Sequence, residues 1–212
     1  MRTFRSMPLQ NRVTPFGEIV ALAGRGLVMG NRGILHDGER RVVRYSQVRR
    51  WLACRTEFRG RQRVIMRPHS YTELFFLDEA TAFAAGHRPC AECRHADYRQ
   101  FRSLWALCHG EPVSADLIDL RLHRDRLAGR RLKRVYREDL SELPDGAYIA
   151  MDSRAWLILG DMLLAWSAQG YTERRERPRH LGVEVLTPRS TVAVLNAGYR
   201  VAVHPSALRG VK

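Results

Sequence analysis

The sequence predicts an α+β protein: a β-rich N-terminal part, a central helical segment carrying a Cys-x-x-Cys zinc knuckle, and a β-rich C-terminal part. Three observations predict it. Short apolar runs separated by Gly-Arg-Gly and Gly-Asn-Arg-Gly turns fill the first third, the pattern of a hairpin or meander. From Asp78 to Gly129 the apolar residues shift to helical spacing. Beyond Gly129, strand-length apolar runs return.

Taken in order, GEIVALA, GLVMG and GILHD read as short strands, and RRVVRYSQVRRWLACRTEF and RQRVIMR continue that character on either side of a turn at Gly60. Asp78 is placed to cap a short helix, EATAFAAG, that stops at Gly86. A longer helix is expected from Ala91 to Cys108, with Tyr98, Phe101, Leu104, Trp105 and Cys108 on one face. Ser114 opens a third helix through VSADLIDLRLHRDRLAG, with Leu117, Leu120 and Leu127 among its apolar residues. LKRVY, AYIAMD, AWLILGD, MLLAWS and GVEVLT then read as strands, and the basic stretch TERRERPRHLG as an exposed loop. Thr187-Pro188 starts a last helix, RSTVAVLNAG, closed by Gly198. Boundaries near Trp51 and Leu132 divide the chain into segments 1–50, 51–131 and 132–212, and the same pattern fits one continuous fold.

The chain has 212 residues, 45% of them hydrophobic, enough to bury a sizeable core. Its formal net charge of +14 attracts polyanions and favours nucleic acid over an acidic small molecule as partner. All but Lys133 and Lys212 of its 36 basic residues are arginine, which offers planar bidentate donors to phosphate; a GC-rich genome yields the same bias. No run of eighteen apolar residues occurs and MRTFRSMPLQNRV lacks the apolar stretch of a signal peptide, so no membrane partner and a cytoplasmic location are expected. Four cysteines in a chain of this length do not form a disulfide framework.

Cys90 and Cys93 follow a Gly-His-Arg-Pro turn at a spacing that lets two thiolates converge on one metal about 2.3 Å away. Cys54, in WLACRTEF, lies on an expected strand that can fold back to bring a third thiolate. Cys108 is fifteen residues beyond Cys93 on one helix, roughly 22 Å away, and belongs to the core. The fourth ligand is then water or a histidine, with His69, His87 and His123 as candidates. The set Cys54, Cys90 and Cys93 with zinc is the expected metal site. Buried, reduced thiols are the alternative.

The window Phe75 to Cys93, FFLDEATAFAAGHRPCAEC, resembles the end of the zinc-binding N-terminal domain of the Ada DNA alkylation-repair methyltransferase family, where an FF strand leads through a short helix into an AAGFRPCKRC turn. The resemblance covers about a tenth of the chain, without a gap. It implies zinc on Cys90 and Cys93, DNA as partner, and Arg88 near the phosphate backbone. In that family an earlier Cys-x-x-x-Cys pair completes the site and supplies the methyl-accepting thiolate. At that separation this chain has Arg63 and its neighbours, with Cys54 further back.

Arg61, Arg63, Arg67, Arg88, Arg94 and Arg99 flank the knuckle and form the expected phosphate-binding face. Trp51, Phe58 and Tyr71 are placed to stack on exposed bases or to pack in the core. GNRGILHD sets Asn31, Arg32, His36 and Asp37 in one turn, read as a hairpin turn with solvated polar side chains rather than a phosphate loop. His123 and His204 read as surface or satisfied residues. The functions compatible with these features are a zinc-stabilised nucleic-acid-binding protein, a metal-dependent nucleic-acid hydrolase or repair enzyme that uses Cys54 as acceptor, and a structural α+β protein without such binding.

Overall fold

A computed structural model describes residues 7–61, 64–110 and 114–208. It holds two six-stranded sheets and four α-helices, so the α+β class holds. The first sheet is built from short strands: β1 (Arg12–Val13), β2 (Ile19–Val20), β3 (Val28–Asn31), β4 (Leu52–Arg55), β5 (Leu74–Phe76) and β6 (Arg88–Pro89). Their order is β2-β1-β5-β3-β4-β6, with parallel pairing only at β1 with β5 and at β4 with β6. β3 pairs with both β4 and β5, so residues on either side of Trp51 share one sheet.

Helix α1 (Glu79–Ala84) follows β5 and buries all six of its residues. The Asp78 carboxylate caps it by accepting from the Thr81 amide at 2.8 Å, as the sequence indicates. Its Ala82 and Ala85 face the first sheet, while Phe83 packs into the core of the second. α1 is therefore the wedge between the two halves. Helix α2 (His95–His109) buries Tyr98, Phe101 and Trp105, the expected face, and begins later than expected because residues 91–94 form the turn of the knuckle. Ser114 caps α3 (Ala115–Arg126), but its buried residues include Ile118 and Leu122, and Leu117 is exposed.

The second sheet comprises β7 (Tyr136–Asp139), β8 (Tyr148–Met151), β9 (Arg154–Leu159), β10 (Met162–Ser167), β11 (Gly170–Glu176) and β12 (Gly182–Val185). It is antiparallel throughout, in the order β11-β10-β9-β8-β12-β7. α2, α3 and α4 (Arg189–Asn196) cover one face, closing the main core around Phe101, Trp105, Ile118, Leu122 and Trp156. Much of the stretch expected as the loop TERRERPRHLG is strand β11. Glu173 pairs with Arg154 and Arg175 there, so its charges neutralise one another on an edge strand that tolerates them. No helix among the described residues is long and apolar enough to cross a membrane.

Candidate metal centre and the arginines around it

The parallel pair β4 and β6 brings the three cysteines together. The Arg88 amide donates to the Trp51 carbonyl at 3.1 Å and the Cys90 amide to the Ala53 carbonyl at 3.0 Å, which fixes the start of the knuckle one residue from Cys54 on the neighbouring strand. The knuckle then turns back, with the Arg94 amide donating to the Cys90 carbonyl at 3.1 Å. As a result the sulfurs of Cys54, Cys90 and Cys93 lie within 4.8 Å of one another. Tetrahedral zinc with bonds of about 2.3 Å needs sulfurs about 3.8 Å apart, so the three fit one metal with slight closure.

Their surroundings suit thiolates. The Cys93 sulfur accepts from the Arg55 amide at 3.4 Å, and the Cys90 sulfur takes hydrogen bonds from the backbone of Cys93 and Glu92. The Cys54 thiol donates toward Cys90 and Cys93, which pulls the Cys90 thiol down to about 5 and lowers that of Cys93, while those donated hydrogen bonds, and then burial, push Cys54 up. Met29, Leu52 and Phe75 form an apolar wall around the group. Cys54 and Cys90 are buried and Cys93 is partly exposed. Among the described residues no histidine or carboxylate joins the three.

The histidine candidates lie elsewhere. His87 is fully buried, its ring 4.6 Å from that of Phe76 and 5.2 Å from that of Trp51, and burial holds it neutral, followed by the field of Arg32 and Arg126. His69 is exposed, and His123 stands beside Arg126 at 3.3 Å. Cys108 is at the far end of α2, donating to the Ala193 carbonyl.

The arginines expected to face phosphate divide sharply. Arg88 is buried: it clamps Asp119 through two hydrogen bonds of 2.9 and 2.7 Å and gives its remaining nitrogen to the Pro89 carbonyl. Arg94 is largely buried and bridges Glu79 at 2.7 Å and Asp97 at 2.8 Å. Both are held by acids that pack the knuckle against α1 and α3; Arg88 has no face for a polyanion, and Arg94 keeps only an edge on the groove beside Cys54. Arg61 pairs with Glu92 at 3.1 Å, Arg67 and Arg99 are exposed, and Arg63 lies outside the described residues. Trp51 is core, 1% exposed; Phe58 lies under Arg59 and Arg61, and Tyr71 is exposed.

GNRGILHD also differs from its expectation. Arg32 is 0% exposed and His36 6%, with the His36 ring 2.6 Å from the Thr72 hydroxyl, so this turn sends its polar side chains inward.

A cavity of about 760 Å³ opens instead between residues 44–46 and the 123–134 segment. Five arginines line it: Arg44, Arg124, Arg130, Arg131 and Arg134. No carboxylate does, and among the described residues none of the five forms an ion pair. This group was missed in the sequence, although RRLKR directly after Gly129 is a visible charge run. Nothing in the sequence said that Arg44, some ninety residues earlier, would meet it.

No family model, curated protein or solved structure matches this chain.

Proposed function

We propose that this chain is a zinc-stabilised nucleic-acid-binding protein that contacts mainly phosphates. The observation that carries the reading is the cavity in which five arginines converge with no acidic partner, while the arginines of the knuckle are spent on Asp119, Glu79, Asp97 and Glu92. Uncompensated guanidiniums on one concave face favour a polyanion and carry little sequence information. Zinc is the metal that three cysteine thiolates, two on a Cys-x-x-Cys turn and one on the neighbouring strand, suit best, and the resemblance of this turn to the Ada domain supports zinc and, as the nucleic acid, DNA. Cys54, Cys90 and Cys93 would hold it, fixing the strand and the turn that place Arg88 and Arg94 against their acids. Titration of fluorescent DNA and RNA between about 50 and 200 mM salt tests the reading: affinity falls tenfold or more across that range if phosphates dominate. Absence of binding at the lowest salt would overturn it.

The ligand count favours one second reading, a nucleic-acid hydrolase or repair enzyme. Three protein ligands leave one position of a tetrahedral metal free, and Cys54 borders a groove of about 300 Å³ that also holds Arg55, Asp97 and Arg94. When bound, a metal with an open position supplies Lewis-acid chemistry. Cobalt substitution separates the readings: a spectrum that shifts when azide is added reports an open position, and an unchanged one reports a closed, structural site.

A further inference from the structure

Behind the arginine cavity lies a second layer of positive charge that forms no ion pair of its own, although the field of Asp119, clamped by Arg88, reaches Arg126. Arg32 and Arg126 are 0% and 1% exposed, and both guanidiniums sit on Trp51, 4.0 and 3.8 Å from its ring. Lys133, on the loop that carries three of the cavity's five arginines, encloses its ammonium against the Ala84 carbonyl at 2.5 Å. Among the described residues none of these three cations forms an ion pair; backbone carbonyls of Gly17, Gly86, Arg49 and Ala84 take the place of carboxylates. One terminal nitrogen of Arg32, Nε of Arg126 and Nδ1 of His87 have no hydrogen-bond partner. Buried cations without an ion pair are costly, and gathering them beside an arginine-lined hollow leaves a field there that favours negative charge.

Two side chains join the layers. His123 lines the cavity and touches Arg126 at 3.3 Å, while Tyr45 lines it and covers the Arg32 guanidinium, 4.6 Å from its ring. Tyr45 is held in place: its ring meets Trp51 edge-on at 5.8 Å, and Gly17 leaves its hydroxyl room that a Cβ would take, coming within 2.6 Å. The neighbouring groove shares Arg44, Tyr45 and Arg131 but adds Glu18, which marks the edge of the acid-free region.

A strand passing by offers each cation one singly charged diester at a time, a pattern met by a row of basic residues along a surface. Five guanidiniums around one hollow, backed by the buried guanidiniums of Arg32 and Arg126, are matched by a compact group with about two charges and several acceptor oxygens, which a phosphomonoester supplies near neutral pH. The volume lies in the range of small-ligand sites, leaving room for the sugar or base next to that phosphate. We propose that the cavity between residues 44–46 and 123–134 binds a phosphomonoester, presented by the phosphorylated end of a nucleic-acid strand or by a free nucleotide. This rests on the polyanion-binding reading above and names the group that the site takes.

The test compares oligonucleotides of one sequence ending in a 5′-phosphate, a 3′-phosphate or hydroxyls only, with AMP and ATP as competitors, by anisotropy at fixed salt. One phosphorylated end should bind about tenfold more tightly than the hydroxyl end, and the mononucleotides should compete. Arg130→Gln with Arg131→Gln, both exposed, should erase the preference at an unchanged melting temperature, whereas Arg179→Gln, exposed on another loop, should leave it intact. Equal affinity for all ends, without competition by AMP or ATP, overturns the pocket assignment and leaves phosphate-backbone binding standing. Nucleotides that bind through Arg130 and Arg131 while no oligonucleotide binds support the pocket and overturn the nucleic-acid reading.

Discussion

At the scale of single residues, Arg88 shows how a residue named for function becomes structural. A sequence reader sees an arginine one turn from a metal knuckle; the fold puts Asp119 of α3 opposite it, and two short hydrogen bonds consume the guanidinium. Removing one member of such a pair leaves a buried charge uncompensated. Asp119→Ala should therefore cost on the order of 3 kcal/mol of unfolding free energy in urea, whereas Glu92→Ala, which frees the half-exposed Arg61, should stay within about 1 kcal/mol. Similar losses for the two would show that Arg88 has another anchor. The cysteines separate just as cleanly. Elemental analysis of protein purified without chelators should find about one zinc per chain, lost in Cys90→Ser together with a lower melting temperature and retained in Cys108→Ser. Zinc bound to Cys90→Ser at full stoichiometry would rule out the triad as its site.

At the scale of elements, the helices were legible and the strands only in part. α1 and α3 announce themselves through Asp78 and Ser114, because a cap is a local event between residues three positions apart, and α4 through Pro188, which fixes the backbone where the helix begins. β11 was hidden because Glu173, Arg174, Arg175 and Glu176 fill its second half, and only the pairing of Glu173 with Arg154 and Arg175 shows that charge is held there rather than solvated. The 127–134 loop carries the clearest pH consequence. Burial, then Arg32 and Arg126, push the Lys133 ammonium down to about 7. The unfolded chain keeps that proton to about pH 10, so this group adds stability as pH rises from about 7 to 10 and its contribution is flat below 7. Lys133→Met removes the effect: its gain in unfolding free energy over the native chain should be largest near pH 7 and shrink toward about pH 9.5. A gap independent of pH would mean that the ammonium reaches solvent.

At the scale of the whole molecule, α1 and its neighbours hold the halves together. Asp78 caps the helix, accepts from the Tyr171 hydroxyl at 2.6 Å and takes the His204 amide, while Glu79 holds Arg94, the Tyr199 hydroxyl and the Ala202 amide. Among the described residues, five arginines without an ion pair converge at the cavity, and on the polyanion-binding reading that convergence should govern binding. Replacing Arg130 and Arg131 by Gln should flatten the dependence of log affinity on log salt for duplex DNA by roughly 1.8, two phosphate contacts' worth, and Arg61→Gln should change it little, since Glu92 already occupies that side chain. Equal flattening by both would return the interface to the knuckle. The sequence by itself determined the α+β class, the starts of α1, α3 and α4, the high net positive charge, and Cys90 and Cys93 as a pair, because each of these is set by composition or by residues a few positions apart. The tertiary structure brought Cys54, a candidate in the sequence, up to the pair, and it alone decided that Arg88 and Arg94 are turned inward and that Arg44 meets Arg130 and Arg131, since these depend on which strands and loops become neighbours and no local spacing encodes that.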